Sequence, residues 1–300
     1  MTAAVEAAIE HPVRRFGDRN IDLSRRIAVM AVVNRTPDSF YDQGATFALD
    51  AAVAAGAAAF EAGADLVDVG GVRFAPGPPL PIDEECERVI PLVRELAQLG
   101  AVSVDTFQPE VARRAIAAGA AVINDTTGVH DPAMADVVAD SDATLVVAHS
   151  RASPRTQLPM PHYDDVVAEV RAFLDERVAL AESRGVPRER LIIDPGHDLN
   201  KNTRHSLELT RRLGELANSG LPLLVALSNK DFIGESLGRA RDERLPGSLA
   251  AAVYCALQGA RLLRVHNVRE SVDAARMVES IWGWRDSVAL VHNMRPEGNE

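Results

Sequence analysis

The sequence predicts one α/β domain, a single (β/α)8 TIM barrel. Eight short apolar runs, rich in β-branched residues, alternate strictly with segments of helical periodicity. The length of 300 residues suits one such barrel. Several predicted helices end at a glycine, which commonly caps a helix, just before the next apolar run. A doubly wound open sheet is the alternative that the same alternation permits.

The eight runs are apolar on both faces, as expected for parallel strands that helices cover. In chain order the predicted strands are Ile27–Val33, Asp65–Val69, Val102–Asp105, Ala121–Asn124, Thr144–Ala148, Leu191–Asp194, Leu223–Leu227 and Arg261–Val265. The predicted helices are Ala48–Ala62, Asp83–Leu99, Gln108–Ala118, Pro132–Ala139, Tyr163–Arg184, His205–Ala217, Gly247–Gln258 and Val272–Ile281. Three of these helices are followed by the capping glycines Gly63, Gly119 and Gly259.

No Pro-, Ser- or Gly-rich linker divides the sequence, so we expect one domain. Residues 1–25 are polar and are expected to form an N-terminal extension outside the core. Residues 26–285 are expected to form the barrel, and residues 286–300 a C-terminal tail.

The net charge of −11 argues against nucleic acid or an anionic membrane surface as the main partner, although a small anionic substrate needs only a few local cations. No apolar run approaches the roughly 20 residues of a membrane span, and the N-terminus lacks a signal-peptide core. A cytoplasmic location is therefore expected. The two cysteines, Cys86 and Cys255, offer neither metal-ligand spacing nor a disulfide framework.

Lysine is rare in this chain. Of 32 basic residues only Lys201 and Lys230 are lysines, and the others are arginines. A lysine should persist where a compact ammonium is needed rather than a planar guanidinium. Chance survival of the two lysines is the alternative.

Polar residues follow nearly every predicted strand, at the barrel end that carries the functional site in this fold. They are Asn34, Asp68, Asp105, Asn124, Asp125, His149, Asp194, Lys230, Asp231, Arg264 and His266. One polar residue at a strand end is usually a cap or a turn. A whole set of them predicts a cavity lined by acids, amides and a few cations.

Such a set suits the recognition of a polar heterocycle that carries phosphate. Asp105, Asn124 and Asp194 can pair with the N–H and C=O edges of a fused ring. Cationic side chains at Lys230, Arg264 and His266 can hold ring carbonyls and phosphate oxygens. Asn34 can offer an amide oxygen to Mg²⁺. The sequence has no nucleophile elbow, no His-Glu-x-x-His or Cys-x-x-Cys motif, and no glycine-rich dinucleotide fingerprint.

In this order the motifs resemble the dihydropteroate synthase family, from about residue 27 to residue 268. They are Asn34-Arg35-Thr36-Pro37-Asp38-Ser39-Phe40, Asp68-Val69-Gly70-Gly71, Ser103-Val104-Asp105-Thr106, Ile123-Asn124-Asp125, Asp194-Pro195-Gly196, Ser228-Asn229-Lys230 and Arg264-Val265-His266. The resemblance implies a homodimeric barrel that joins a dihydropterin methyl diphosphate to p-aminobenzoate and releases diphosphate, in folate biosynthesis.

The resemblance also implies roles for single residues. Asp105, Asn124, Asp194 and Lys230 would bind the pterin ring, with Asp105 and Lys230 as catalytic groups. Asn34, Arg264 and His266 would hold the diphosphate, with Asn34 at a Mg²⁺ ion. The implied mechanism is dissociative: diphosphate leaves, a pterin-stabilised cation forms, and the aryl amine attacks. Such a route needs charge stabilisation more than a strong base.

The chain departs from the family on the acceptor side. Ala75 stands where the family has a loop arginine, and Arg73 is the candidate replacement. Asp231 replaces the small hydroxyl residue that helps to seat the carboxylate of p-aminobenzoate, and two facing carboxylates repel each other by on the order of 1 kcal/mol. Leu199 replaces an aromatic wall.

These departures resemble a divergent second copy of the enzyme, of an actinobacterial kind. We therefore expect that a pterin still binds and that p-aminobenzoate is used poorly or not at all.

Three interpretations stay open. The chain is a synthase with an altered acceptor pocket, a pterin-binding protein without ordinary synthase activity, or a pterin-dependent methyltransferase domain. The last is the weakest, since nothing in the sequence supplies a corrinoid module. Structural roles are also open at several positions: loop caps at Asp38, Ser39 and Asp125, a brace at Asp68, a core histidine at His149, a helix start at His205, and a new acceptor site at His197 and Asp198.

Overall fold

Ten strands make up the sheets of the computed structural model, which describes residues 9–34, 49–72, 76–77, 80–156 and 158–293. The first two, β1 (Val13–Phe16) and β2 (Arg19–Asp22), form an antiparallel hairpin. The other eight are β3 (Ala28–Asn34), β4 (Leu66–Gly70), β5 (Ala101–Asp105), β6 (Val122–Asp125), β7 (Thr144–Ala148), β8 (Leu191–Asp194), β9 (Leu224–Val225) and β10 (Leu262–Val265).

The eight later strands form a closed parallel barrel. Each strand from β3 to β7 pairs with the next one along the chain, and β10 pairs with both β9 and β3. A parallel bridge between Ile193 and Leu223 joins β8 to the residue that precedes β9. The predicted TIM barrel is therefore confirmed, and the open doubly wound sheet is excluded.

Ten helices surround the barrel in the described part of the chain. They are α1 (Leu49–Glu61), α2 (Ile82–Leu96), α3 (Pro109–Ala117), α4 (Ala133–Ala139), α5 (Val166–Ser183), α6 (Thr203–Arg211), α7 (Gly214–Ala217), α8 (Asp231–Leu237), α9 (Leu245–Leu257) and α10 (Val268–Ile281). Two short 3₁₀ helices span Arg188–Arg190 and Arg241–Glu243.

Three predicted helices end at their capping glycines, as expected. Gly63, Gly119 and Gly259 have φ angles of +96°, +111° and +106°, the left-handed conformation of a helix cap. Two helix predictions are wrong. The segment predicted as one helix, His205–Ala217, is divided into α6 and α7 just before Gly214, a residue that weakens helices. The seven-residue helix α8 was not predicted, because it is too short to give a periodic pattern.

Residues 9–25 of the predicted extension contribute buried side chains to the core, which corrects the expectation that this segment lies outside it. Phe16 and Leu23 are 0% exposed. They pack against Met30, Leu66, Leu262 and other side chains at the amino ends of the barrel strands. The hairpin therefore covers the barrel end opposite the strands' carboxyl ends. The domain limits themselves stay a prediction.

Candidate functional site

The carboxyl ends of the barrel strands surround a cavity of about 460 Å³. Strand pairing aligns Asn34 with Gly70, Gly70 with Asp105, and Asp105 with Asn124. Every site residue predicted from the sequence except Arg73 lines this cavity: Asn34, Asp105, Asn124, Asp194, Lys230, Asp231, Arg264 and His266. Arg73 lies outside the described residues, as do Asp38 and Ser39.

Arg264 bridges two carboxylates at the cavity wall. Its Nε donates to Asp68 Oδ2 over 2.6 Å, and its Nη2 donates to Asp105 Oδ2 over 2.9 Å. Asp68 is fully buried and also accepts from Ser103 Oγ over 2.5 Å. The group predicted to hold diphosphate is thus fixed between a buried brace and a residue predicted to bind the pterin ring.

Asn124 presents an unsatisfied acceptor. Its Nδ2 donates to Asp68 Oδ2 over 3.3 Å, whereas its buried Oδ1 has no hydrogen-bond partner among the described residues. A buried polar atom without a partner is costly unless a ligand or water supplies one. The arrangement suits a ligand that brings an N–H group to this wall.

Burial shifts the protonation equilibria of Asp105, Asp194 and Lys230 toward their neutral forms. Loss of hydration raises the pKa of Asp105 to about 7, although Arg264 opposes the shift. Burial likewise raises the pKa of Asp194 and lowers the pKa of Lys230. A ligand with complementary hydrogen bonds and charge would replace the hydration that these groups lose on burial and would stabilise their charged forms.

Lys230 and Asp231 begin helix α8. Lys230 Nζ donates to the carbonyl oxygen of His197 over 2.9 Å. Asp231 is exposed and accepts from Arg244 Nη1 over 2.9 Å, so a cation offsets its charge. The sequence did not identify Arg244, because it lies 13 residues further on, in the turn before α9.

The loop of residues 194–201 is folded around an ammonium group. Lys201 Nζ contacts Gly196 O at 2.8 Å, Leu199 O at 3.1 Å and His149 Nδ1 at 2.8 Å. Burial and the neighbouring Lys201 lower the pKa of His149 to about 2, so its Nδ1 is an acceptor. The prediction of a core histidine with a satisfied hydrogen bond is confirmed.

Other structural roles were also predicted correctly. Asp125 accepts from Thr127 and Val129 backbone nitrogens and is a loop cap, and His205 belongs to the capping box at the start of α6. His197 is fully buried and stacks against Phe232, with ring centroids 6.0 Å apart. Both His197 and Asp198 belong to the cavity wall, and their role in a new acceptor site stays a prediction.

Asn34 fits a role at a magnesium ion. It ends β3 at the cavity wall, and a Cβ atom on Gly70 would lie only 2.7 Å from Asn34 Oδ1, so glycine leaves the amide its room. Mg²⁺ prefers oxygen ligands, keeps several waters and is often completed by substrate phosphates. No group of three or more His, Cys, Asp or Glu residues in the described ranges forms a metal site.

A second cavity of about 430 Å³ adjoins the first and shares Asp105, Thr126, Asp198 and Asp231 with it. Its lining includes Glu85, which the sequence analysis did not identify. Glu85 is fully buried on α2 and accepts from Thr106 Oγ1 and Gln108 Nε2, each over 2.6 Å. Burial raises the pKa of this carboxyl group. An acidic residue four positions before the core residue Val89 was the signal available in the sequence.

Comparisons with known proteins agree with this geometry. A family model described as pterin binding enzyme matches residues 30–266. A Mycobacterium leprae protein named inactive dihydropteroate synthase 2 is 44% identical over 277 residues, 90% of this chain and 95% of that protein. Escherichia coli dihydropteroate synthase is 42% identical over 264 residues, 87% of this chain and 93% of that protein. The structure of Xanthomonas albilineans dihydropteroate synthase with 4-aminobenzoic acid has a TM-score of 0.83 and 43% identity, and covers 90% of this chain and 98% of its own.

Proposed function

The chain belongs to the pterin-binding enzyme family, and from that premise we propose that it is a dihydropteroate synthase-type transferase. It joins a dihydropterin methyl diphosphate to an aryl amine and releases diphosphate, in folate biosynthesis. The observation that carries the proposal is the single cavity on which Asp105, Asn124, Asp194, Lys230 and Arg264 meet. These groups come from four strand ends and one helix start, and they match a heterocycle that bears an anion.

The pterin ring is recognised by the deep groups of the cavity. Asn124 Oδ1 accepts a ring N–H, which satisfies the buried oxygen that has no partner among the described residues. Asp105 and Asp194 accept further N–H groups, and their raised pKa values fall when donors approach the charged forms. Lys230 donates to the ring and remains tied to the carbonyl of His197.

The diphosphate lies toward Arg264, His266 and Asn34. The C–O bond between the pterin methylene and the diphosphate breaks, and the electron pair leaves with the diphosphate. The amine nitrogen then attacks the pterin-stabilised cation and loses a proton. Arg264 stabilises the departing charge as a hydrogen-bonding cation, already held by Asp68 and Asp105. When bound at Asn34, Mg²⁺ supplies neutralisation of the diphosphate charge.

The acceptor amine enters through the second cavity. Its shared wall with the first cavity, which includes Asp105 and Thr126, supports this route. Asp231 and Ala75 stand at the positions that differ from the family pattern, so the acceptor is p-aminobenzoate used weakly or another aryl amine.

A pterin-binding paralogue without synthase turnover is the second candidate. It is favoured by the carboxylate of Asp231 on the acceptor side and by the name of the Mycobacterium leprae relative. An assay with purified protein, dihydropterin methyl diphosphate and labelled p-aminobenzoate, with and without Mg²⁺, separates the two. Magnesium-dependent product supports the transferase. Pterin binding by calorimetry without product supports the paralogue, and no pterin binding contradicts both.

The assembly and location are proposals as well. A homodimer is supported by exposed apolar side chains on the adjacent helices α9 and α10, among them Tyr254, Leu257, Met277 and Ile281. Size-exclusion chromatography with light scattering tests the homodimer, and the mass of a monomer would contradict it. None of the helices in the described ranges is long and apolar enough to cross a membrane. A cytoplasmic location and the absence of a nucleic-acid partner rest on the sequence alone.

A further inference from the structure

Lys201 is the most completely bonded cation near the cavity. Its side chain is buried, and the three N–H bonds of an ammonium group meet three acceptors, Gly196 O, Leu199 O and His149 Nδ1. Two of these acceptors belong to the 194–201 loop itself, and the third belongs to the residue that follows β7. The ammonium group therefore ties the loop to the neighbouring strand.

A lysine is needed at this position for geometric reasons. The three acceptors surround one point, which a compact ammonium can satisfy and a planar guanidinium cannot. In a chain with 32 basic residues, lysine occurs only here and at Lys230, the other ammonium group that donates to this loop. Both lysines thus donate to backbone carbonyls of the same loop.

The loop has a backbone that needs such support. Gly196, Asp198 and Asn200 all have φ between +51° and +64°, the left-handed region that side-chain-bearing residues rarely adopt. Two carbonyl groups of this loop, those of Gly196 and Leu199, accept from Lys201 Nζ. Its pKa is lowered to about 7, chiefly by burial, which agrees with an ammonium group that is enclosed by the protein.

The shape of this loop determines the positions of two groups that recognise the pterin. Asp194 Oδ1 accepts from the backbone nitrogen of Gly196 over 2.7 Å, which fixes the carboxylate. Lys230 Nζ donates to His197 O over 2.9 Å, which fixes the ammonium group. Both contacts use backbone atoms of the segment that Lys201 holds.

We propose that Lys201 is a positioning residue for pterin recognition, which acts through the 194–201 loop on Asp194 and Lys230 without touching the pterin. The proposal rests on the proposed function, since it assumes that the cavity binds a pterin. Arg264 forms its ion pairs with Asp68 and Asp105, which lie outside the loop. Binding of the diphosphate group should therefore not depend on Lys201.

The test compares two probes by calorimetry, dihydropterin methyl diphosphate and inorganic diphosphate, each with Mg²⁺. Lys201→Met keeps the length of the side chain and removes the ammonium group. We expect the pterin probe to bind about 10- to 100-fold more weakly, the range for groups that support a binding site. We expect the affinity for inorganic diphosphate to change by less than about twofold, within the scatter between independent sites.

Leu23→Ala is the matched control for lost stability, because Leu23 is fully buried at the opposite end of the barrel. It should lower the melting temperature without weakening either probe. If Lys201→Met does not fold, Lys201→Gln retains two N–H donors and permits the same comparison. Equal weakening of both probes, or weakening in proportion to the melting temperature in both variants, overturns the proposal. A wild-type protein that binds diphosphate but no pterin contradicts the proposed function instead, and the inference falls with it.

Discussion

Asn124 donates its side-chain N–H to Asp68, and the same carboxylate receives Nε of Arg264. One buried acid therefore orients both the amide that we propose binds the pterin and the guanidinium that we propose binds the diphosphate. Asp68→Asn should weaken both the pterin and the diphosphate probes, each by about tenfold, since a buried charged hydrogen bond contributes about 1.5–3 kcal/mol. Isothermal titration measures both affinities.

The control for this variant is Asp125→Asn. Asp125 is equally buried and adjacent to Asn124, but it accepts hydrogen bonds from its own loop, at Thr127 and Val129. It should lose stability and keep both affinities within about twofold. Equal ligand losses in the two variants would mean that Asp68 only supports the barrel.

Asp231→Ser tests the acceptor side. The substitution removes an exposed carboxylate and releases Arg244, so the local charge becomes more positive. We expect p-aminobenzoate to bind about five- to tenfold more tightly when pterin is present, as expected from removing a repulsion of about 1 kcal/mol. Asp242→Ser, an exposed acid in the neighbouring 3₁₀ helix, should have no effect. The same gain in both variants would point to net charge alone.

His149 should make folding stability depend on pH. Its pKa is lowered to about 2 in the folded protein by burial and by Lys201, whereas an unfolded histidine titrates near 6.5. Below about pH 6.5 the unfolded chain therefore binds the extra proton, and the free energy of unfolding falls by about 1.4 kcal/mol per pH unit from this residue.

The measurement is the difference between wild-type and His149→Asn unfolding curves from pH 6.5 to 4.5. Burial raises the pKa of Asp105 to about 7 and that of Asp125 to about 6, so these groups stabilise the fold as pH falls, in the opposite direction. They are present in both proteins and cancel in the difference. An imidazole nitrogen resonance of His149 that titrates near pH 6.5 would contradict the prediction.

Phe16→Ala should unfold the barrel more easily without affecting ligands. Loss of a fully buried phenylalanine costs about 3–5 kcal/mol, and Phe16 lies at the end away from the cavity. Val13→Ala, in the same strand but 58% exposed, should change stability by less than about 0.5 kcal/mol. Chemical denaturation measures both, and weaker pterin binding by the Phe16 variant would contradict the separation of core and site.

The barrel strands were predictable because parallel strands covered by helices are apolar on both faces. The N-terminal hairpin was not predictable, because its buried positions include Arg14. The Arg14 guanidinium donates to the carbonyl oxygens of Arg188 and Glu189. A buried arginine that donates one of its nitrogens to distant backbone carbonyls cannot be distinguished from a surface arginine in a sequence.

The cavity residues could be predicted for a related reason. Asp105, Asn124 and Asp194 follow recognisable strands, and closure of the barrel brings strand ends together. The ion pair between Asp231 and Arg244 could not be predicted from the sequence, because it depends on how α8 and α9 pack.

The hairpin that seals the amino end of the barrel has a consequence for the order of events. The hairpin covers the amino end of the barrel, so the cavity at the carboxyl ends of the strands is approached from the loop side. Asn124 and Asp194 lie on the strands beneath those loops and are almost fully buried. We expect the pterin, which we propose binds these two residues, to enter before the acceptor. A compulsory order of binding is therefore expected for a barrel that is closed at one end.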